Sequence, residues 1–257
     1  MTMRYQVLGP LRIVAHDKAL SVGAPRPERL LAILLLRANQ IVPISQLIGG
    51  IWGEERPERA TQGIHVYISQ LRKVLATAGL GNPIVTRPPG YLFEAGPEDI
   101  DWFVFRRLVR TGRTHYATNR LPEAARAFDE ALALWRMPGL GRMYDDEPGI
   151  AGYANALDEL RIECVELRNE VGLRIGEHRS LISPLHMLIS DYPLYEEFYG
   201  QLMRALCLSN RRADALAVYR KAWDVLDREL GLEPSEMLKD LNNSILTTGT
   251  QRHLRIA

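Results

Sequence analysis

The chain has only two cysteines in 257 residues, Cys164 and Cys207, far apart and without CxxC spacing. That excludes a disulfide framework and a thiolate metal site, and it suits two reduced thiols in a cytoplasmic protein. The longest apolar run, Leu30–Leu36, falls far short of the ~20 residues that a membrane span needs. Nor is there a secretory hydrophobic region, because Met1–Arg4 leads directly into the strand-like Tyr5–Leu8. The six histidines are scattered with neither HExxH nor HxH spacing, so no metal site is expected. No GxxxxGKS or GxxxxGKT segment is present to cradle a phosphate, and no GxSxG or other nucleophile–base grouping occurs. On these grounds neither a cofactor nor an enzymatic activity is expected.

What is there is ordinary in bulk. A composition of 46% hydrophobic and 25% charged residues is that of a globular protein, and the length fits two domains of ~100–200 residues each. The net charge of +1 is unevenly spread. Residues 1–97 hold 11 Lys/Arg against 6 Asp/Glu, a net +5, and the remainder holds 21 against 25, a net −4. A basic module joined to an acidic one suits nucleic-acid contact in the first and protein contacts in the second.

The most informative stretch is Arg59–Leu75, RATQGIHVYISQLRKVL. At about 100° per residue, Ile64, Ile68, Leu71 and Leu75 fall on one side of a helix. Gln62, His65, Val66, Ser69, Gln70, Arg72 and Lys73 fall on the other, a face with donors, two cations, one branched apolar side chain and no carboxylate. A DNA major groove roughly 12 Å wide admits one α-helix and offers it base acceptors and thymine methyls. A few residues later, IVTRPPGYLFEA alternates apolar and polar residues around a Pro-Pro-Gly turn, so it reads as a hairpin with Arg87 at its tip. A helix with such a face, followed by a basic hairpin, describes a winged helix-turn-helix. The bland alternative is an amphipathic surface helix beside an unrelated hairpin.

Upstream, RYQVLGPLRIVAHDKALSV predicts a small antiparallel sheet broken at Gly9-Pro10 and His16-Asp17. Pro27 sits near a helix start, and Leu30–Leu36, apolar nearly all round, predicts a helix buried on most sides. IVPIS gives a short strand, with Ser45 as the expected N-cap of a helix SQLIGGIW. GPEDIDW, near residues 96–102, is the expected domain boundary, and everything beyond it reads as helical. There, NRLPEAARAFDEALALW and NRRADALAVYRKAWDVL share a pattern in which Ala124, Phe128 and Ala131 match Ala215, Tyr219 and Ala222. Small, aromatic and small residues at this spacing let a neighbouring helix approach closely, the packing of a tetratricopeptide-like pair, with a generic helical bundle as the alternative. Cys164 is expected as a buried small residue, Trp102, Trp135 and Trp223 as core, and the Asp145-Asp146-Glu147 run as a solvated loop. The fold expected is mainly α with a small β component. Residues 1–96 form the winged helix-turn-helix and 97–257 an all-α, tetratricopeptide-like domain.

Residues 3–94 resemble the winged helix-turn-helix of OmpR/PhoB-type response regulators, through Leu71-Arg72-Lys73 at the recognition-helix end and Gly90-Tyr91 in the wing. IVTRPPGYLF combined with AFDEALALW and ALAVYRKAWDVLDRELGLEPS resembles, over essentially the whole chain, the Streptomyces antibiotic regulatory protein family. In that family the DNA-binding domain is followed by a bacterial transcriptional activation domain. The resemblance implies a pathway-specific activator of secondary-metabolite genes that binds direct repeats in double-stranded DNA as a homodimer and recruits RNA polymerase through its sigma factor. It implies Val66 and Gln70 near base edges, Thr61, Gln62, Ser69 and Arg72 near phosphates, Trp52 at the turn before the helix, and Arg87 in the minor groove. Lys73 and Tyr91, in the two matching motifs, complete the implied DNA-binding set. His65 is left open between DNA contact and plain surface.

Several departures stand out. Gln70 and Ser69 occupy positions where relatives often carry Arg, which is expected either to weaken phosphate attraction or to move base preference from guanine toward adenine. Gly63 lies inside the helix at ~1 kcal/mol relative to Ala, and marks either a close backbone approach or a late helix start. The linker WRMPGLGRMYDDEPG is atypical. No phosphorylatable receiver is expected ahead of a sheet that begins by residue 4. The rival reading is a protein-interaction scaffold whose winged domain does not bind DNA.

Overall fold

The computed structural model describes residues 4–16, 18–20, 22–137 and 148–253. The Asp145-Asp146-Glu147 run and most of the atypical linker lie outside the described residues. Packing groups the chain into two compact units, one drawn from residues 1–111 and 127–164, the other from 112–126 and 165–257.

In the first unit, β1 (Tyr5–Gln6), β2 (Arg12–Ala15) and β3 (Lys18–Leu20) form an antiparallel sheet in chain order, with Ile13 facing both Tyr5 and Leu20. α1 (Pro25–Leu36) opens on prolines, which suit a first turn whose N–H groups have no intrahelical partner. It buries every residue from Leu30 to Leu36, as its all-round apolar run predicts. β4 (Ile41–Pro43) leads without a gap into α2 (Ile44–Trp52), followed by α3 (Ala60–Thr77). The hairpin β5 (Ile84–Arg87) and β6 (Gly90–Phe93) completes a second sheet in the order β4-β6-β5. The structure corrects the expected N-cap of α2. The helix begins at Ile44, whose N–H donates to the Pro89 carbonyl (3.2 Å), and Ser45 is exposed with no side-chain cap bond made. The hairpin turn thus satisfies the N–H that opens the helix, and the cap position falls on Pro43, two residues before Ser45.

α4 (Asp101–Ala117) opens on a buried carboxylate. Asp101 accepts hydrogen bonds from the backbone N–H groups of Val7 (2.8 Å) and Leu8 (3.0 Å), and Arg136 Nη2 lies 3.9 Å away. Burial pushes its pKa up to about 6, opposed by those N–H groups and by the Arg136 charge. Next to it Trp102 is buried and donates from Nε1 to the Leu35 carbonyl at 3.0 Å. Trp135 is half-buried, edge-on to Phe105 at 5.4 Å. α5 (Leu121–Leu132) and α6 (Pro148–Arg174) follow, and α4, α5 and α6 each contribute residues to both units. Cys164 is buried with its Sγ 4.0 Å from the Phe128 carbonyl, the small packed residue the helical pattern predicts.

The second unit is built on α7 (His178–Asp191), α8 (Glu196–Leu208), α9 (Arg212–Leu230) and α10 (Glu236–His253), with α7 against α8, α8 against α9, and α10 against both α8 and α9. Ala215 and Ala222 are fully buried beside the half-buried Tyr219, and Ala124, Phe128 and Ala131 are fully buried at the matching positions. Trp223 is not core: it is 37% exposed, edge-on to Tyr219. It stands one position past Ala222, about 100° round from the stripe of Ala215, Val218, Ala222 and Leu226 that faces the neighbouring helices. Inside this unit Gln201 is fully buried, accepting from Asn169 Nδ2 (3.0 Å) and donating to the Glu166 carbonyl (2.9 Å). The architecture is mainly α with a small β component, a winged helix-turn-helix followed by helices.

Candidate nucleic-acid interface

α3 carries the site. Ile64, Ile68, Leu71 and Leu75 are buried to 1% exposure or less, which fixes the rotation of the helix about its axis. Thr61, Gln62, His65, Val66, Ser69, Gln70 and Lys73 are consequently all exposed, and Val66, an apolar side chain, is 52% exposed. No Asp or Glu occurs anywhere in the 18 residues of α3. Trp52, at the end of α2, is half-buried and stacked on Tyr67 with ring centroids 6.0 Å apart. A Cβ placed on Gly63 would lie 3.0 Å from the Trp52 ring, and the helix already starts at Ala60. Gly63 therefore answers to a close approach and not to a late helix start.

The hairpin carries a cation at its tip. Arg87 pairs with Gly90 across the exposed Pro88-Pro89 turn and is itself exposed. Gly90 admits no side chain, because a Cβ there would stand 1.9 Å from the Val42 carbonyl oxygen, inside the β4–β6 pairing. Two residues of the expected set face elsewhere. Tyr91 is only 6% exposed, edge-on to His65 at 6.4 Å. Arg72 is half-buried: its Nε (3.0 Å) and Nη2 (2.8 Å) donate to the Ile84 carbonyl, and Nη2 donates to Thr86 Oγ1 (2.9 Å). Its guanidinium carbon lies 5.8 Å from the Tyr91 ring centroid. Thr86 was not among the residues the sequence pointed to. Its signal, a hydroxyl two residues after Ile84 on the same strand, has meaning only once Arg72 is known to reach it.

Seven side chains of one face of α3 are thus exposed on a helix without a carboxylate, and Arg87 is exposed at the end of β5. Among the described residues no three His, Cys, Asp or Glu side chains converge as metal ligands would, and no helix is long and apolar enough to cross a membrane.

A family model described as the bacterial transcriptional activator domain matches residues 100–246, and one described as the C-terminal part of transcriptional regulatory proteins matches residues 22–93. The regulatory protein DnrI of Streptomyces peucetius is 34% identical over 256 residues, 95% of this chain and 92% of that protein. The chain belongs to the Streptomyces antibiotic regulatory protein family. The transcriptional regulatory protein EmbR of Mycobacterium tuberculosis is 32% identical over 94% of the chain, which spans 63% of EmbR. The regulatory protein AfsR of Streptomyces coelicolor is 34% identical over 95% of the chain, which spans 24% of AfsR. A solved structure of Mycobacterium tuberculosis EmbR in complex with a low-affinity phosphopeptide matches 96% of the chain and 65% of its own, with a TM-score of 0.90 at 31% identity. As a member of this family the chain is a DNA-binding regulator of transcription, with no enzymatic activity.

Proposed function

We propose that this regulator is a sequence-specific activator that lays α3 in the major groove and reaches the adjacent minor groove with Arg87. The observation that carries the reading is the outer face of α3, seven exposed side chains without a carboxylate on a helix held by a fully buried stripe. In this reading Val66 meets a thymine methyl, Gln70 bonds adenine, and Thr61, Gln62, Ser69 and Lys73 lie along the phosphates. His65 joins that contact, Trp52 holds the turn before the helix, and residues 97–257 form the helical activation domain. From the family resemblance we further propose homodimeric binding to direct repeats, recruitment of RNA polymerase through its sigma factor, control of a secondary-metabolite gene cluster, and a cytoplasmic location.

Footprinting the full chain on promoters beside its own gene tests this. Two protected repeats spaced by about one helical turn, ~10–10.5 bp, are expected, with affinity falling steeply as salt rises because phosphate neutralisation releases counterions. No protection, or an affinity indifferent to salt, overturns the reading and favours the protein-interaction scaffold, and protection without a repeat overturns dimeric binding to direct repeats.

A further inference from the structure

Arg72 sits on the recognition helix, in the motif that the family resemblance assigns to phosphate contact, yet its donors are spent within the protein. Nε and Nη2 grip the Ile84 carbonyl and Nη2 also reaches Thr86 Oγ1. Ile84 and Thr86 are alternate residues of β5, which has β6 on one side only. Nη2 alone reaches both acceptors, and the planar guanidinium adds Nε as a second donor to the Ile84 carbonyl, which a single ammonium does not supply. The Tyr91 ring backs the guanidinium, and His65 of the same helix meets that ring by its edge. The sheet anchors the hairpin through β6, and Arg72 is a side-chain tie from α3 to the edge strand β5.

We infer that Arg72 is a positioning residue that clamps the wing to the recognition helix and so sets the distance between the major-groove face and Arg87. The inference rests on the two-groove reading proposed above. It makes the guanidinium shape, and not the charge alone, the requirement at position 72. Lysine at that position keeps the charge and loses the two-donor grip on the Ile84 carbonyl.

The test uses the full chain and a promoter duplex protected by the wild type. Arg72→Lys weakens binding about ten-fold although the charge at that position is kept. In an Arg87→Ala background the same substitution costs less than about two-fold, since the wing it positions no longer carries its contact. Wild-type affinity for Arg72→Lys overturns the inference, as does a loss in the Arg87→Ala background as large as that in the wild-type chain. Thermal denaturation reports whether Arg72→Lys folds. If it does not, Thr86→Val decides, since it removes one acceptor and leaves α3 untouched: weakened binding supports the clamp and unchanged binding overturns it. A wild-type chain that protects no duplex fails the two-groove reading itself, an outcome distinct from either.

Discussion

Helices α3 and α9 run for 18 and 19 residues and each buries one apolar stripe, Ile64, Ile68, Leu71 and Leu75 on α3 and Ala215, Val218, Ala222, Val225 and Leu226 on α9. Their outer faces differ. α9 presents Arg212, Asp214, Arg220, Lys221, Asp224, Asp227, Arg228 and Glu229, both signs interleaved as on a solvated helix. α3 presents amides, hydroxyls, a histidine, a valine and a lysine, and forgoes the modest support that opposite charges one turn apart would bring. The buried stripe is what any docked helix needs, so it reports only the fold. The information about function lies in the outer face, and α9 is the internal control that shows what an ordinary one looks like. The buried polar groups differ in the same way. The first unit holds an ionisable carboxyl, Asp101, where the second holds the neutral pair Asn169–Gln201.

The equivalence of the two stripes is the part of the comparison with the largest expected effect. Leu71→Ala and Leu226→Ala each remove a buried leucine side chain, and each is expected to cost ~2–5 kcal/mol through lost burial and the cavity left behind. Chemical denaturation measures both. A cost below ~1 kcal/mol for either would mean that its stripe is not packed as core. At temperatures where both variants stay folded, Leu226→Ala is expected to bind DNA as the wild type does.

The stripe of α3, the hairpin around Pro88-Pro89, the buried α1 and the small–aromatic–small pairs were legible because each depends on residues close in sequence, within one period of a helix or one turn. The misreadings share a cause. Ser45 was assigned a cap that the Pro89 carbonyl makes unnecessary, and those two residues are 44 positions apart. Trp223 was expected in the core, although its position beside Ala222 turns it off the stripe. Arg72 was legible as a cation on the polar side of α3. Its partners on β5 were not, since a long side chain can turn either way and only the folded hairpin decides. Asp101 gave no signal at all, for its partners Val7 and Leu8 lie more than 90 residues upstream.

The contrast between a buried carboxyl and a buried amide pair should be visible in the pH dependence of stability. The Asp101 pKa is raised by burial from 3.8 to about 6 in the folded state. A group whose folded pKa lies above its unfolded value favours folding while it is protonated. Its contribution is fully present below pH 3.8 and is lost as pH rises through about 6. At ~1.36 kcal/mol per pKa unit, this amounts to about 3 kcal/mol across that window. Denaturation of wild type and Asp101→Asn between pH 4 and 7 checks it: the wild type should lose more stability on going up in pH, and the asparagine variant should lack that loss. Parallel curves would mean that Asp101 is ionised at no cost in the fold. The Asn169–Gln201 pair carries no such dependence, since neither amide titrates.

The outer faces are compared most directly by making the same change of charge on each. Gln70→Glu and Lys221→Gln both shift the net charge by −1, and both positions are exposed, so neither is expected to alter stability by more than ~0.5 kcal/mol. On α3 the new carboxylate would face the polyanion and could no longer donate to adenine N7, so affinity for the footprinted site should fall about 10- to 100-fold. On α9 the same unit of charge is one among eight of mixed sign, and affinity should change by less than about two-fold, the long-range part being screened beyond ~10 Å at ordinary salt. Titrations of both variants at two salt concentrations decide between a local and a global effect. If Lys221→Gln lost as much as Gln70→Glu, binding would follow net charge alone, and the carboxylate-free face of α3 would cease to distinguish the two helices. If only Gln70→Glu fell, and fell further on the specific site than on random duplex, α3 would be reading bases as well as neutralising phosphates.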